Sequence, residues 1–428
     1  MNEKEAREIC EKAIAFSKAE HVQVNLYATR EASTRYANNE ITQNVAKSQI
    51  TLRLTCAYGN KVGRCSTNQL DADSIRAAVE RAEQLARVAE PDTEFLPPPE
   101  PAAYRLIQAY ADSTAHAAPD DRARVVRQVI EHAKSRTLKT AGSFATNLNA
   151  VAVANNKGLF GFHTSTLASL VCTMMAEDGS GWTEQTHEDI NAISPEAVAQ
   201  RAADKAEAAR HPLEIAPGDY TVLLEPAAIA ELLAYMAWSM DAKAADEGRS
   251  AFTGKEGSAI GNKLVTLQSL PAHPQCPAQP FFDDGMPTPD VTWIEQGVLK
   301  TLVYSRFWAQ KQGKPFTGSP SNLILQGGPL SLDELVAQVE NGLLITRFWY
   351  IRFVDPMQLL LTGMTRDGVY RIQGGQVTHA VKNLRFNESP LVALQNIRLL
   401  GEAQRVGDGL LAPPVVVDGF TFSSTTTF

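Results

Sequence analysis

The stretch from Asp219 to Glu247, DYTVLLEPAAIAELLAYMAWSMDAKAADE, constrains the fold of this 428-residue chain more than any other. Residues 220–224 are a short apolar run that favours a β-strand. Pro226 suits the first position of a helix, and residues 227–245 are good helix formers without an internal glycine or proline. Apolar side chains recur at helical spacing at Ile229, Leu232, Leu233, Met236 and Met240. The sequence therefore predicts a strand that leads directly into a buried helix of about five turns.

The segment LLEPAAIAELL within this stretch resembles the strand–helix junction of the TldD/TldE (PmbA) family, once called modulators of DNA gyrase. In TldD-type members the helix carries His-Glu-x-x-x-His, where the histidines bind a metal and the glutamate acts as general base. By this resemblance Glu225 stands at the first histidine, Pro226 at the base and Ala230 at the second histidine. Neither Pro226 nor Ala230 can bind a metal or move a proton. TldD-like proteins also use a cysteine near the C-terminus, whereas the last cysteine here is Cys276.

The resemblance therefore implies a metal-free, TldE-like chain with no catalytic residue and no cofactor of its own, zinc being expected only in a TldD-like partner. The first hypothesis is a non-catalytic pseudoenzyme subunit of a TldD/TldE-type metallopeptidase that degrades or processes unfolded peptides. The alternative is a stand-alone homodimeric module that binds peptides without hydrolysing them. A third hypothesis is an enzyme with a rebuilt site near Glu225.

Two other parts of the chain carry the same resemblance. Residues 38–92 contain an Asn-Asn-Glu hairpin, a long strand, a Gly-x-x-x-Gly return and a helix, the series found in the family's N-terminal domain. Residues 293–313 and 342–349 are similar to the corresponding segments of TldE-like members. The resemblance covers residues 36–420 and is weakest over residues 355–370, where the family usually has a Gly- and Ser-rich turn.

Hydrophobic periodicity and turn residues predict an α+β protein. Residues 1–90 are expected to form an antiparallel sheet with helices on one face, and the proline-rich residues 91–104 a linker. Residues 105–212 are expected to form a central α+β region. Short strands and glycine turns over residues 213–428 favour a mostly antiparallel, barrel-like or curved β domain with one long helix.

Charge and hydropathy restrict the class of protein. The net charge is −8 and no block of Lys or Arg occurs, which disfavours a nucleic-acid partner. No apolar run reaches about 18 residues, so no membrane-spanning helix is expected. The N-terminus has no signal-peptide pattern, and the five cysteines are far apart without a CxxC pair. We therefore expect reduced thiols and a cytoplasmic protein.

Other candidate sites in the sequence are weak. The eight histidines are all more than four residues apart, and His187-Glu188 is interpreted as a solvated loop. No Gly-x-Ser-x-Gly motif occurs. The acidic run Asp283-Asp284, followed by Gly285 and two prolines, is more typical of a turn than of a Ca²⁺ site.

An unusual concentration of aromatic residues marks the C-terminal half, at Phe307, Trp308, Phe348, Trp349 and Tyr350. Core packing is one interpretation, and an interface or peptide groove is the other, since aromatic residues are enriched at interface cores. The alternating tail, residues 419–428, suggests a strand added to a neighbour's sheet or a frayed end. We therefore predict a dimer, formed with a TldD-like subunit or with a second copy of this chain.

Overall fold

Long antiparallel strands form the amino-terminal half of the chain, of which a computed structural model describes residues 1–426. The elements of this half, in chain order, are α1 (Glu3–Phe16), β1 (His21–Ala37), β2 (Glu40–Tyr58), β3 (Lys61–Thr67), α2 (Ala72–Val88), α3 (Asp112–Ala115), α4 (Pro119–Ser135), β4 (Lys139–Asn155), β5 (Phe160–Met175), β6 (Ser180–His187) and α5 (Pro195–Ala208). Three helices have an N-cap side chain that accepts a backbone N–H of the first turn. These N-cap residues are Asn2, Asp71 and Ser194. The predicted hairpin at residues 38–40 is confirmed, and Asn38 and Asn39 take the positive φ angles that a tight turn requires.

One six-stranded antiparallel sheet joins the N-terminal and central regions, in the order β3-β2-β1-β4-β5-β6. Strand β1 pairs with β2 on one side and with β4 on the other. Alternate side chains of β1, β4 and β5 lie on one face, where α1, α2, α4 and α5 cover them. The predicted antiparallel sheet with helices on one face is therefore confirmed. The opposite face, with Asn149 and His163, turns toward the carboxy-terminal half.

The carboxy-terminal half is built around a closed ring of strands. Its elements are β7 (Gly218–Leu224), α6 (Pro226–Trp238), α7 (Ala242–Asp246), β8 (Leu267–Ser269), β9 (Val291–Glu295), β10 (Val298–Leu299), α8 (Arg306–Gln312), β11 (Leu323–Leu325), α9 (Leu332–Ala337), β12 (Asn341–Asp355), β13 (Leu360–Gln373), β14 (Gln376–Ala380), β15 (Leu384–Glu388), α10 (Pro390–Gln395), β16 (Ile397–Leu400), β17 (Gln404–Val406), β18 (Leu410–Ala412) and β19 (Val415–Thr425). Strands β12, β7, β19, β15 and β13 pair in that order, and β13 also pairs with β12. The ring is therefore closed, as the predicted barrel-like domain requires. A second sheet has the order β10-β9-β8-β11-β18-β17.

Helix α6 lies in the largest apolar core, between these two sheets. The five residues of the predicted apolar stripe are all buried, four of them in α6 and Met240 just after it, so this expectation is confirmed. The predicted length is wrong, because α6 ends at Trp238 and a separate helix, α7, begins after Asp241. The Asp241 carboxylate accepts the backbone N–H of Ala244 at 2.7 Å. A capping aspartate favours a new helix start over continuation, and this explains the break.

The carboxy-terminal tail is part of the protein's own core. Strand β19 pairs with β7, β15 and β16 of the same chain, which excludes the predicted addition of residues 419–425 to a neighbour's sheet. Phe420 and Phe422 are fully buried, and the ring of Phe420 stacks on that of Phe348 at 5.6 Å. Phe428, the last residue of the predicted tail strand, lies outside the described residues.

Between α2 and α3 the chain crosses the molecule in an extended path, and residues 95–111 form neither helix nor strand. The Tyr104 hydroxyl donates to the carbonyl of Gly285 at 2.7 Å, and Arg105 pairs with Asp290 at 2.6 Å. The five cysteines are free thiols, four of them buried. Over residues 1–426, no helix is both long enough and apolar enough to cross a membrane.

Candidate functional site

The junction between β7 and α6 places Glu225 at the N-cap of the helix, where a salt bridge holds its carboxylate. The backbone N–H of Glu225 donates to the carbonyl of Ile345 on β12 at 3.0 Å, which fixes the turn against the barrel. Lys205 of α5 approaches from the central region, and its Nζ lies 2.6 Å from Oε2 of Glu225. The Thr346 hydroxyl donates to Oε1 at 3.2 Å. An ammonium group and a hydroxyl therefore satisfy this buried carboxylate.

The other two positions of the motif carry no polar side chain. Pro226 fills the first turn of α6, where a missing N–H costs nothing, and Ala230 is buried in the core. Only Glu225 of the three has a possible ligand atom, and Lys205 occupies it. Among residues 1–426, no three His, Cys, Asp or Glu side chains lie together closely enough to hold a metal ion. These residues do not fit the metal that the motif binds in TldD-type proteins.

Two further carboxylates, Glu184 of β6 and Glu231 of α6, lie close to Arg347 of β12. The pKa of Glu231 is raised to about 7: burial is the main cause, the Arg347 guanidinium lowers it in part, and the nearby charge of Glu184 adds a smaller increase. Burial also raises the pKa of Glu184. The backbone N–H of Gly407, which donates to this carboxylate at 2.9 Å, lowers the pKa in part. At neutral pH, Glu231 is therefore partly protonated. It is the residue near Glu225 whose pKa best suits acid–base chemistry.

Arg347 is held in place from several sides. Its Nε donates to Oδ2 of Asp367 at 2.9 Å, and its guanidinium lies 4.6 Å from the centre of the Trp182 ring. The Ser180 hydroxyl donates to the other oxygen of Asp367 at 2.9 Å. Both Ser180 and Trp182 belong to β6 of the central region. The cluster of charges thus joins the central region to the barrel.

Sequence analysis identified Glu225 but missed its partner Lys205 and the neighbours Glu184, Glu231 and Arg347. One signal was present, because Glu231 is the single charged residue in α6, PAAIAELLAYMAW. A lone carboxylate in an apolar helix is a candidate for a perturbed pKa. No comparable signal distinguishes Lys205, since it lies in an Ala-rich helix with ordinary surface charges.

The predicted aromatic residues separate into buried and exposed groups. Trp308 and Phe348 are buried in the main core, and Phe307 packs against it partly exposed. Trp349 and Tyr350 retain 44% and 61% of their accessible surface.

Two more aromatic side chains are exposed beside this end of β12. Trp238, at the end of α6, and Phe353 both pack against Tyr235, with ring centroids 5.1 Å and 5.3 Å away. We call Trp238, Trp349, Tyr350 and Phe353 the aromatic patch. The four side chains keep 38–72% of their accessible surface.

Solved structures of similar fold match nearly the whole chain. A candidate modulator of a DNA gyrase from Thermotoga maritima has a TM-score of 0.89 and 23% identity, covering 98% of this chain and 100% of that one. TldE from Thermococcus kodakarensis has a TM-score of 0.89 and 18% identity, covering 98% of this chain and 99% of that one. At these identities the likeness concerns the fold.

Curated relatives match a smaller part of the chain. A metalloprotease from Methanothermobacter thermautotrophicus is 27% identical over 180 residues, 38% of this chain and 38% of that protein. A zinc metalloprotease TldD homolog from Saccharolobus solfataricus is 23% identical over 163 residues, 33% of this chain and 35% of that protein. The matches span little more than a third of each relative's length.

Three family models cover most of the sequence in the order of its regions. They are PmbA/TldA metallopeptidase domain 1 over residues 22–86, the central domain over residues 96–210 and the C-terminal domain over residues 217–424. These matches agree with the resemblance at the β7–α6 junction and with the fold. The chain belongs to the PmbA/TldD metallopeptidase family.

Proposed function

We propose that this chain is a non-catalytic, TldE-like subunit of a TldD/TldE-type metallopeptidase complex that degrades or processes unfolded peptides. The observation that carries the proposal is the pairing of Glu225 with Lys205 at the position of the first metal ligand. The Lys205 ammonium at Oε2 and the Thr346 hydroxyl at Oε1 already pair both oxygens of this carboxylate, which leaves it poorly placed to bind a metal cation. With Pro226 and Ala230 at the other two positions, hydrolysis has to come from a partner that carries His-Glu-x-x-x-His.

The aromatic patch supports a role in a complex. Its four side chains lie where α6 and the outer half of β12 meet, next to the cluster of charges. Arg366 stacks on Trp349, with its guanidinium 4.5 Å from the ring centre, so the patch combines apolar and cationic contacts. Aromatic and arginine side chains are enriched where protein partners bind. The expected occupant is the TldD-like subunit, or a second copy of this chain in the alternative hypothesis.

The test uses the chain alone, a TldD-like subunit from the same cell alone, and the two together. We expect this chain alone not to cleave an unfolded peptide, and we expect the mixture to cleave it faster than the TldD-like subunit does. A chelator should abolish the activity of the mixture. Isolation of the complex by pull-down and identification of the partner by mass spectrometry complete the experiment.

The outcomes separate the hypotheses. Chelator-sensitive cleavage by this chain alone would refute the inactive-subunit proposal. A stable homodimer that binds unfolded peptides and recovers no His-Glu-x-x-x-His protein from the cell would favour the stand-alone module. Cleavage by the chain alone that is insensitive to chelator and lost in Glu231→Gln would favour a rebuilt site near Glu225.

A further inference from the structure

A large cavity lies between the uncovered face of the first sheet and the carboxy-terminal half, away from the β7–α6 junction. Its volume is about 720 Å³, within the range of ligand-binding pockets. His163 of β5 forms part of one wall. Residues 277–288, the start of α8, residues 316–321 and the β17–β18 turn form the others.

Several residues that line this cavity carry polar atoms without a hydrogen-bond partner. Seven buried side-chain nitrogen or oxygen atoms in residues 1–426 lack a hydrogen-bond partner. Four of them belong to residues that line the cavity, namely His163 Nε2, Thr288 Oγ1, Ser321 Oγ and Arg405 Nε. Thr288 is 4% exposed and His163 is 8% exposed. Buried polar groups in native proteins are nearly always paired, so four unpaired ones around one cavity indicate a ligand that pairs them.

The charge of the lining favours a cationic ligand. Five carboxylates but only two guanidiniums line the cavity, and the carboxylates are Glu188, Asp241, Asp283, Asp284 and Asp408. Burial lowers the pKa of His163 to about 4, so this ring is uncharged at pH 7.

Asp284 is the carboxylate best placed to receive the positive charge. Burial raises its pKa, and its nearest cation is Arg306, whose Nε is 3.8 Å away, beyond hydrogen-bond distance. Phe281, Phe282 and Phe316 contribute aromatic rings to the same walls. A cation beside Asp284 would therefore gain both a carboxylate and aromatic faces.

The cavity shares part of its wall with a second cavity. A second cavity, of about 560 Å³, is lined by strands of the first sheet and residues 92–98. The two cavities share four lining residues, Asp283, Asp284, Ser305 and Arg306. We call the two adjoining cavities the groove; two neighbouring cavities suit an extended chain better than a compact metabolite, which would fill only one.

We propose that this groove binds an extended peptide segment and holds a basic side chain of that peptide between Asp284 and the surrounding phenylalanine rings. The hydroxyls of Thr288 and Ser321 and the ring of His163 hydrogen-bond to the peptide's polar groups. The inference rests on the proposed function in taking the ligand to be a peptide. It adds a binding site on the non-catalytic chain and a preference for basic residues.

Calorimetry on the full chain alone tests this proposal, using the capped peptide acetyl-Ala-Arg-Phe-Ala-amide. We expect this peptide to bind at least about tenfold more tightly than the same peptide with citrulline in place of arginine, because citrulline has nearly the same size but lacks the positive charge and part of the donor set of the guanidinium. The peptide with glutamate at this position should show no binding. Argininamide alone should bind more weakly than the peptide.

Two threonines provide a matched pair of variants. Thr288→Val removes an unpaired hydroxyl at the cavity, and Thr34→Val removes an unpaired hydroxyl that is equally buried but does not line the cavity. Neither loses a hydrogen bond within the protein, so both should retain the wild-type melting temperature. Thr288→Val should weaken peptide binding about fivefold or more, and Thr34→Val should leave it unchanged. Ser321→Ala gives a second variant if Thr288→Val is unstable.

Equal affinity for the arginine, citrulline and glutamate peptides would overturn the proposal, as would unchanged binding in both Thr288→Val and Ser321→Ala. Argininamide that binds as tightly as the peptide would assign the site to a free amine instead. The calorimetry uses neither a partner subunit nor a hydrolysis assay. A negative binding result would therefore refute the peptide site without refuting the proposal that the chain is a non-catalytic subunit.

Discussion

At the scale of single residues, Glu225, which the sequence resemblance aligns with the first metal ligand of TldD-type proteins, forms an internal salt bridge with Lys205. A buried ion pair contributes little net stability relative to apolar side chains, but removal of one partner leaves an uncompensated charge. The Lys205–Glu225 pair also joins α5 to the β7–α6 junction. It thus helps to fix the central region against the barrel.

We predict that Lys205→Met lowers the free energy of unfolding by about 3–5 kcal/mol, because the buried Glu225 carboxylate loses its cation. The double variant Lys205→Met/Glu225→Leu should recover most of this loss. Lys382→Met, which breaks the exposed Lys382–Glu214 pair, is the control and should cost less than about 1 kcal/mol. Denaturant unfolding measures all three, and equal losses in the two single variants would contradict the prediction.

Glu231 should make stability depend on pH. Its pKa in the folded protein is raised to about 7, so its contribution to stability is fully present below its unfolded-state pKa and is lost as pH rises through about 7. In Glu231→Gln this loss is absent. We therefore expect the variant to gain about 1–3 kcal/mol over wild type between pH 5 and pH 8.

Denaturant unfolding at several pH values checks the Glu231 prediction. Arg347 of β12 and Glu184 of β6 face this carboxyl and stay in place in the variant. Glu80→Gln, at an exposed position of α2, controls for the loss of one carboxylate. A difference between Glu231→Gln and wild type that does not change with pH would count against the raised pKa.

At the scale of elements, the β7–α6 junction keeps its form without the residues of the family's metal site. The strand is paired on both sides and the helix is buried in the largest core, so the junction is stabilised by packing. The element therefore persists with Pro226 and Ala230 in place of a base and a ligand.

We predict that the wild-type chain binds no stoichiometric zinc, and that the triple variant Glu225→His/Pro226→Glu/Ala230→His neither binds zinc nor hydrolyses peptides. Zinc usually needs three protein ligands, and the C-terminal cysteine of TldD-like proteins is missing. Lys205 would also lie beside the new histidine, and a histidine at the buried position 230 would overpack the core. Elemental analysis of protein prepared without chelator measures the zinc content of both proteins. About one zinc per wild-type chain would refute the prediction.

At the scale of the whole molecule, one continuous sheet and one closed barrel meet through the charge cluster and across the groove. The aromatic patch is at the outer end of the barrel, on β12 and α6. The buried aromatic residues Trp308 and Phe348, and the tail with Phe420, serve this chain's own core. Of the aromatic residues that suggested an interface, only those of the aromatic patch are therefore exposed enough to contact a partner.

We predict that the chain is not monomeric and that the patch forms its interface, with more than about 2,000 Å² buried in total. Light scattering at micromolar concentration should give a mass well above 46.5 kDa. Trp349→Glu/Tyr350→Glu should lower it to the monomer value without loss of fold, because both side chains are exposed. Leu106→Glu, at an exposed apolar residue elsewhere, should leave the mass unchanged. A wild-type mass of about 46.5 kDa would contradict the prediction.

The sequence by itself determined the features that depend on neighbouring residues. The hairpin at Asn38-Asn39, the strand and buried stripe of residues 220–240 and several short strands after residue 260 follow from local periodicity and turn chemistry. Strands β12 and β13, with 15 and 14 residues, are longer than the short strands expected there. Pro226 and Ala230 lack ligand atoms in any fold, so the loss of the motif was also visible. The break before Asp241 was missed because the alanines on either side favour a continuous helix, whereas Asp241 favours a new helix start. Local propensity alone does not show which of these two preferences is stronger.

Only the tertiary structure decided which distant residues meet. Lys205 reaches Glu225 because α5 of the first sheet packs beside the barrel, and no spacing in the sequence encodes that contact. The unpaired atoms of His163, Thr288 and Ser321 come together from three separate segments in the same way. Periodicity reports which face of an element is buried, whereas pairing of charges and the shape of a groove depend on how whole elements pack.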